Sequence, residues 1–175
     1  HSSNSKKSTT SWYKESLGNL VIDFLALTKA EIVVLLLITT FSAMVLASGG
    51  LPDPVLAIAV CLSGALAAGG AGSINQYADR EVDALMARTR RRPLTVGRIA
   101  PSTALSLGIV FNVAAFIILI FLVNALSALL VLAGSLFYII VYTLWLKKVT
   151  PENIVIGGAA GAIAPLVGWT SVTAS

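Results

Sequence analysis

Long uncharged stretches alternate with short charged ones along this chain of 175 residues. The first uncharged stretch covers residues 32–52 and the second covers residues 54–78. A third runs over residues 99–146, and the last covers residues 153–175. A helix needs about 20 apolar residues to cross a hydrocarbon layer of about 30 Å, so each stretch predicts at least one membrane span.

The third stretch is about twice as long as one span requires, so it predicts a hairpin of two helices with a turn near Asn124 and Ser127. Apolar residues also surround every helical turn, whereas a soluble helix buries only one apolar stripe. The pattern therefore predicts an all-α fold, a polytopic bundle of about five transmembrane helices.

Composition supports a membrane protein, because 57% of the residues are hydrophobic and only 11% are charged. So few polar residues cannot cover the surface of a soluble globule. The single cysteine, Cys61, lies in an apolar run, which excludes a disulfide framework or a thiolate metal site. The polar residues 1–28, with His1 as the one histidine, are predicted to be a disordered or interfacial segment before a membrane domain at residues 29–175.

Lysines and arginines occur before the first span, between the second and third spans, and after the fourth. All these connections fall on one side of the membrane, whereas those around Asp53 and Asn124 contain no Lys or Arg. The positive-inside rule therefore places the arginine-rich loop in the cytoplasm. Since this rule explains the basic residues, we expect membrane lipid and no nucleic acid around the chain. Gly/Ala stretches at residues 64–72 and 157–161 predict close helix packing.

Candidate chemistry lies at the end of the second span, in the sequence Asn75-Gln-Tyr-Ala-Asp79-Arg-Glu-Val-Asp83. The spacing i, i+4, i+8 places these three oxygen-bearing side chains on one helical face. Two carboxylates on adjacent turns repel each other, so a bound cation gives a physical reason for the arrangement. Mg²⁺ is usually held by one or two carboxylates plus substrate phosphates. The face therefore predicts a metal-bridged diphosphate, with Asp79 and Asp83 as the metal ligands.

The arginines that follow suit the same anion. Arg88 and Arg92 carry guanidinium groups that match phosphate oxygens and neutralise the charge of a leaving diphosphate. Arg90, by contrast, is explained by the positive-inside rule alone. Intramembrane carboxylates also mark ion pathways, so a cation transporter subunit is an alternative from another functional class. It is disfavoured because the acids lie at the end of a span, next to arginines that repel a passing cation.

The aspartate motif, with the following Arg88-Thr-Arg-Arg-Arg92-Pro93-Leu94, resembles the first aspartate-rich motif of the UbiA-type intramembrane prenyltransferases. Within that superfamily, the segment from Tyr142-Thr-Leu-Trp-Leu-Lys147-Lys148 to the glycines at 157–161 is similar to that of the protohaem IX farnesyltransferases. Thr28-Lys29 resembles the Thr-Lys-Pro of that family, although Ala30 replaces the proline. The resemblance covers most of the chain between residues 27 and 169.

This resemblance implies transfer of a farnesyl group from farnesyl diphosphate to a vinyl group of haem b with addition of water. The products are haem O and pyrophosphate, and Mg²⁺ is the cofactor. Asp79 and Asp83 would bind Mg²⁺ on the diphosphate, with Asn75 supporting them. The remaining residues that the resemblance assigns to the diphosphate are Arg88, Arg92, Tyr142 and Lys147. For Lys147, anchoring at the cytoplasmic face is an equally good interpretation.

The family fold is a bundle of nine helices with a second aspartate motif between helices six and seven. The resemblance therefore implies that this chain is an N-terminal part with five of the nine helices and half of the metal site. We expect these 175 residues alone to be inactive. The family also implies a bacterial plasma membrane or a mitochondrial inner membrane, and a haem A synthase as partner. A related membrane prenyltransferase with an aromatic or chlorin acceptor is the alternative enzyme.

Overall fold

The computed structural model of the chain describes residue 19, residues 21–149 and residues 153–174. Predictions for residues 1–18 and for Thr150 and Pro151 lie outside the described residues. Within the described part the chain is helical and contains no strand. The predicted all-α fold is confirmed.

A short helix, α1 (residues 21–28), leads through Lys29 into the first of five long helices. These are α2 (Ala30–Ser48), α3 (Pro54–Leu85), α4 (Pro101–Leu122), α5 (Ala125–Leu136) and α6 (Asn153–Thr173). The chain continues from α5 without a break as a π-helix over Phe137–Leu146 and a final turn, Lys147–Val149. All five long helices, with α5 counted through Leu146, are long and apolar enough to cross a membrane. The chain is therefore a multi-pass membrane protein, as predicted.

Polar side chains cap the starts of α3 and α5. Asp53 accepts a hydrogen bond from the backbone N–H of Leu56 at 2.9 Å, and Pro54 occupies the first position of α3. Asn124 caps α5 in the same way by accepting from the N–H of Ser127 at 2.8 Å. Such a cap contributes about 1 kcal/mol to stability. The predicted hairpin turn is confirmed at Asn124, which separates α4 from α5.

Small residues determine how closely the helices pack. A Cβ atom at Gly70 of α3 would lie 2.8 Å from the carbonyl oxygen of Gly108 in α4, and the reverse contact is equally short. Only glycine fits at such a backbone contact, which confirms the packing role predicted for the first Gly/Ala stretch at this position. On the other side of the bundle α2 packs against α6, where Gly168 contacts the carbonyl of Thr40.

α3 is longer than the predicted second span, because it extends to Leu85 and has 32 residues. At 1.5 Å per residue it measures about 48 Å, whereas the hydrocarbon layer is about 30 Å thick. If Pro54 lies at one face of that layer, Asn75 lies roughly 32 Å along the helix. The last three turns of α3, which carry both aspartates, therefore begin where the hydrocarbon layer ends.

Candidate active site

Asn75, Asp79 and Asp83 share one face of α3 and are almost completely buried, with 2%, 4% and 4% of their surfaces exposed. The side-chain amide of Asn75 donates a hydrogen bond to Oδ2 of Asp79 at 2.6 Å. The structure thus places the three residues on a common face, as their spacing predicted.

Each aspartate is paired with a basic side chain from another part of the chain. Lys147, which follows the π-helix, lies 2.5 Å from Oδ2 of Asp79. Arg92, in the loop after α3, lies 2.5 Å from Oδ2 of Asp83. These two cations relieve the repulsion between the carboxylates. Oδ1 of each aspartate accepts no hydrogen bond within the described part of the chain, which leaves it available to a ligand.

Lys29 brings a third cation into the cluster, although it was not among the predicted site residues. Its amine donates to Oδ1 of Asn75 at 2.5 Å and to the hydroxyl of Tyr138 at 3.2 Å. Its backbone φ of 54° lies in the left-handed region, which costs a non-glycine residue roughly 1–2 kcal/mol. Strain of this kind often marks a functional position. The similarity of Thr28-Lys29 to a family motif was the one signal in the sequence.

Burial, together with the nearby cations Arg92 and Lys147, lowers the pKa of Lys29 from 10.5 to about 8. Asp79 and Asp83 act in the opposite direction but do not compensate. The cluster holds three basic side chains against two carboxylates, so it carries one net positive charge when Lys29 is protonated. Such a cluster favours an anion.

The hydroxyl of Tyr138, which was not predicted as a site residue, lies in the cluster, whereas the predicted residue was Tyr142. The Tyr138 hydroxyl donates to Oδ1 of Asn75 at 3.2 Å. The ring of Tyr142 stacks on that of Tyr138 with centroids 5.2 Å apart, and its other side lies against Gly157. No hydrogen bond joins the Tyr142 hydroxyl to a described residue.

Arg88 also lies outside the cluster, because it is exposed and forms no hydrogen bond or ion pair with a described residue. The structure brings together most of the predicted site residues, namely Asn75, Asp79, Asp83, Arg92 and Lys147. The roles assigned to Arg88 and Tyr142 remain predictions without a contact to support them.

An apolar cavity of about 290 Å³ extends from the cluster into the bundle. Lys29 and Tyr138 line its polar end, and Val60 and Val167 line the end that meets the buried core. Its walls come from α2, α3, α5 and α6 and consist largely of small residues. Much of the second Gly/Ala stretch therefore borders a cavity, which its predicted packing role did not include. The volume approaches that of pockets that hold small ligands, about 300 Å³ and above.

The amino-acid sequence that forms this site is similar to those of known proteins. The sequence profile of the UbiA prenyltransferase family matches residues 36–175. The chain belongs to this family. The resemblance inferred from the two motifs is thereby confirmed.

Curated members of the UbiA family narrow the comparison. A protein named protoheme IX farnesyltransferase from Symbiobacterium thermophilum is 54% identical over 89% of this chain and 52% of its own length. A protein of the same name from Cyanothece sp. is 50% identical over 91% of this chain and 49% of its own length. The chain thus spans about half the length of these relatives. No solved structure matches it.

The donor set of this UbiA family site suits a metal ion that is shared with a substrate. Within residues 21–149 and 153–174, no group of three or more His, Cys, Asp or Glu side chains could enclose a metal by itself. Two carboxylates with free Oδ1 atoms fit Mg²⁺, which is commonly held by one or two carboxylates together with substrate phosphates.

Proposed function

We propose that this chain forms the diphosphate-binding part of an enzyme that transfers a farnesyl group from farnesyl diphosphate to a vinyl group of haem b. Water is added in the reaction, and the products are haem O and pyrophosphate. The observation that carries the proposal is a cluster of cations and carboxylates at the mouth of an apolar cavity. The names and the roughly 50% identity of the relatives support haem b as the acceptor.

The diphosphate lies among Lys29, Arg92 and Lys147. Guanidinium and ammonium groups form strong charge-assisted hydrogen bonds with phosphate oxygens. A diphosphate carries about three negative charges near neutral pH, and Mg²⁺ is typically coordinated jointly by carboxylates and phosphate oxygens. Asp79 and Asp83 would hold Mg²⁺ through their free Oδ1 atoms, and Asn75 orients Asp79. Mg²⁺ supplies positive charge that stabilises the leaving group.

The farnesyl chain occupies the apolar cavity beside the cluster. The bond between its first carbon and the diphosphate oxygen breaks, and the electron pair remains on the pyrophosphate. The three cations stabilise this developing charge. The allylic cation then takes an electron pair from the vinyl group to form a carbon–carbon bond, water adds to the resulting cation, and a proton leaves. The largely apolar cavity walls protect the allylic cation from early capture by water.

The place of the acids along α3 supports an enzyme over a cation transporter. A transport site is typically built near the bilayer midplane from broken helices, whereas Asp79 and Asp83 lie on the last turns of an unbroken helix. We further propose that the loop after α3 faces the cytoplasm and that the membrane is the bacterial plasma membrane or the mitochondrial inner membrane. A haem A synthase that accepts haem O directly is the proposed partner.

A chimera tests the proposed reaction. The 175 residues would replace the matching half of the Symbiobacterium relative, and the product would be reconstituted in liposomes with Mg²⁺, farnesyl diphosphate and haem b. We expect haem O and pyrophosphate in equal amounts, measured by chromatography and mass spectrometry. The 175-residue chain alone should form none, because it carries one aspartate motif, which is half of the site that the family resemblance implies.

Three outcomes would contradict parts of this proposal. Transfer to an aromatic acid or a chlorin instead of haem b would show that the acceptor is wrong. Haem O formation by the isolated chain at the rate of the chimera would show that one aspartate motif suffices. A folded chimera that releases no pyrophosphate with any acceptor would reject the transferase function.

A further inference from the structure

Gln76 follows Asn75 directly, yet its side chain serves a different part of the structure. It is 1% exposed, and its amide donates to the carbonyl oxygens of Ala26 at 2.7 Å and Leu27 at 3.0 Å. These carbonyls belong to the last turn of α1. Such groups lack partners within their own helix and need them from elsewhere. Gln76 therefore holds the end of α1 against α3.

The corner between α1 and α2 is pressed onto α3 at the same level. A Cβ atom at Gly69 would lie 3.2 Å from Cβ of Thr28, and one at Gly72 would lie 3.3 Å from the carbonyl oxygen of Thr28. These close contacts place Thr28 directly on the α3 backbone. The next residue is the left-handed Lys29, which turns the chain into α2 and directs its amine to Asn75 and Tyr138.

Contacts on the far side of α1 complete the attachment. Asp23 forms an ion pair with Arg98 at 3.0 Å, and Leu27 packs in a buried cluster with Leu94 and Ala104. Leu94 and Arg98 lie in the loop after α3, which also carries Arg92. The Oε1 atom of Gln76, however, is buried and has no hydrogen-bond partner among the described residues. A buried polar atom without a partner is costly, so a well-packed apolar residue would serve better if Gln76 only filled space.

We propose that Gln76 is a positioning residue that fixes the α1–α2 corner so that Lys29 reaches the substrate diphosphate. This inference rests on the proposed function, because it takes the diphosphate as the ligand of Lys29. The role of Gln76 is indirect. It contacts backbone carbonyls of α1 and acts on the substrate only through Lys29.

A double-mutant cycle tests the link between the two residues. The probe is inorganic pyrophosphate, and its affinity is measured for the 175-residue chain in lipid nanodiscs. Lys29→Met and Gln76→Met should each lower the affinity about 10-fold, since each removes the same charged contact. The double variant should be no weaker than Lys29→Met alone, because coupled residues are not additive. With Lys147→Met in place of Lys29→Met, the losses should multiply, because Lys147 is held by Asp79 and not by the α1–α2 corner.

Losses that multiply for Gln76 and Lys29 would overturn the inference. If Gln76→Met does not fold, Gln76→Asn replaces it, since its shorter amide cannot reach both carbonyls. A second readout needs no ligand: methyl groups enriched in ¹³C on the lysine amines report the surroundings of Lys29 by NMR. The Lys29 signal should shift in the Gln76 variant while that of Lys147 stays. An unshifted Lys29 signal would also reject the inference. Absence of pyrophosphate binding by the unmutated chain would count against the proposed function, and the NMR result would then decide this inference alone.

Discussion

Asp79 and Asp83 hold similar positions on α3 but depend on different neighbours. Lys147 at the end of the π-helix neutralises the first, and Arg92 in the loop neutralises the second. The first pair joins α3 to a segment distant in sequence, and the second joins α3 to the loop that follows it. The two carboxylates thus organise the cations as well as offering oxygen ligands.

Replacing either carboxylate should strongly reduce turnover. Asp79→Asn and Asp83→Asn keep the shape of the side chain but remove the charge that orders the cations and would hold the proposed Mg²⁺. The loss of one such preorganised group costs about 3–4 kcal/mol at the transition state, so haem O formation by the chimera should fall about 100- to 1000-fold. Arg90→Ala is the control, because Arg90 is exposed and contacts neither aspartate. Equal losses at Arg90 and Asp83 would refute this division of roles.

Lys29 makes anion binding depend on pH. Its pKa is lowered to about 8, so the amine is charged at pH 7 and loses its proton as the pH rises through 8. The contribution of Lys29 to pyrophosphate affinity should therefore be constant below pH 8 and fall above it, by at most about 10-fold per pH unit for one proton. Isothermal titration calorimetry between pH 6.5 and 9.5 can measure this change.

Lys29→Met provides the comparison for that experiment. Pyrophosphate itself gains charge at high pH, and subtracting the curve of the variant removes this effect. A difference curve without a step between pH 7 and 9 would mean that the Lys29 amine does not contact the anion.

Helices and their faces could be predicted well at the level of single elements. Uncharged stretches fix membrane spans because lipid penalises charge locally, and the i, i+4 spacing fixed the common face of Asn75, Asp79 and Asp83 because α3 is a regular helix there. Lys29 could not be placed in this way. Its position depends on a left-handed corner and on the contact of Thr28 with α3, which are tertiary features.

The π-helix explains why Tyr138, which was not among the predicted site residues, reaches the cluster. Nine residues separate Tyr138 from Lys147, and with 3.6 residues per turn they would make two and a half turns and face opposite sides. A π-helix bonds each residue to the fifth along the chain and so has more residues per turn. Nine residues then make about two turns, which brings Tyr138 and Lys147 to one side. No pattern in the sequence predicts that Phe137–Leu146 forms a π-helix with this wider turn.

Removing the two hydroxyls separately should distinguish them. Tyr138→Phe should weaken pyrophosphate binding about 10-fold, because it removes one hydrogen-bonding group from the cluster. Tyr142→Phe should have no effect, since the Tyr142 hydroxyl contacts no described residue and the ring stacking is preserved. A larger loss with Tyr142→Phe than with Tyr138→Phe would show that the Tyr142 hydroxyl, and not the Tyr138 hydroxyl, contributes to pyrophosphate binding.

Neighbouring alanines on α6 can test the cavity. Ala160 lines the cavity, whereas Ala159 is exposed and does not line it. Ala160→Leu should place three extra carbons in the space of the farnesyl chain and lower kcat/KM for farnesyl diphosphate about 10-fold in the chimera, with a smaller loss for the shorter geranyl diphosphate. Ala159→Leu should behave as the unmutated protein. If the Ala160→Leu variant used farnesyl diphosphate and geranyl diphosphate equally well, the farnesyl chain would have to bind outside this cavity.

The net charge of the cluster couples the binding of the proposed metal ion to that of the proposed diphosphate. The cluster has one net positive charge, so Mg²⁺ alone adds repulsion, whereas diphosphate alone is attracted. Both together bring the site close to neutrality. The three basic residues come from three separate segments, so this balance exists only in the folded bundle.

Metal binding should therefore depend on the anion. Equilibrium dialysis of the chain with Mn²⁺ as a substitute for Mg²⁺ should show weak binding without pyrophosphate and at least about 10-fold tighter binding with it, a coupling of about 1.4 kcal/mol. Soluble metal–pyrophosphate complex distributes equally across the dialysis membrane and does not disturb the result. EDTA should release the metal and weaken pyrophosphate retention by the same factor. Equal Mn²⁺ affinity with and without pyrophosphate would contradict this coupling.

The extra length of α3 also has a consequence for kinetics. With the acids at the rim of the hydrocarbon layer and the cavity inside it, the proposed substrate, farnesyl diphosphate, should keep its tail in lipid and its head in water while it binds. The enzyme then encounters substrate by diffusion in two dimensions, and the relevant quantity is the number of substrate molecules per area of membrane. Adding empty lipid to a fixed amount of substrate dilutes that surface and slows the reaction, even though the concentration per litre has not changed.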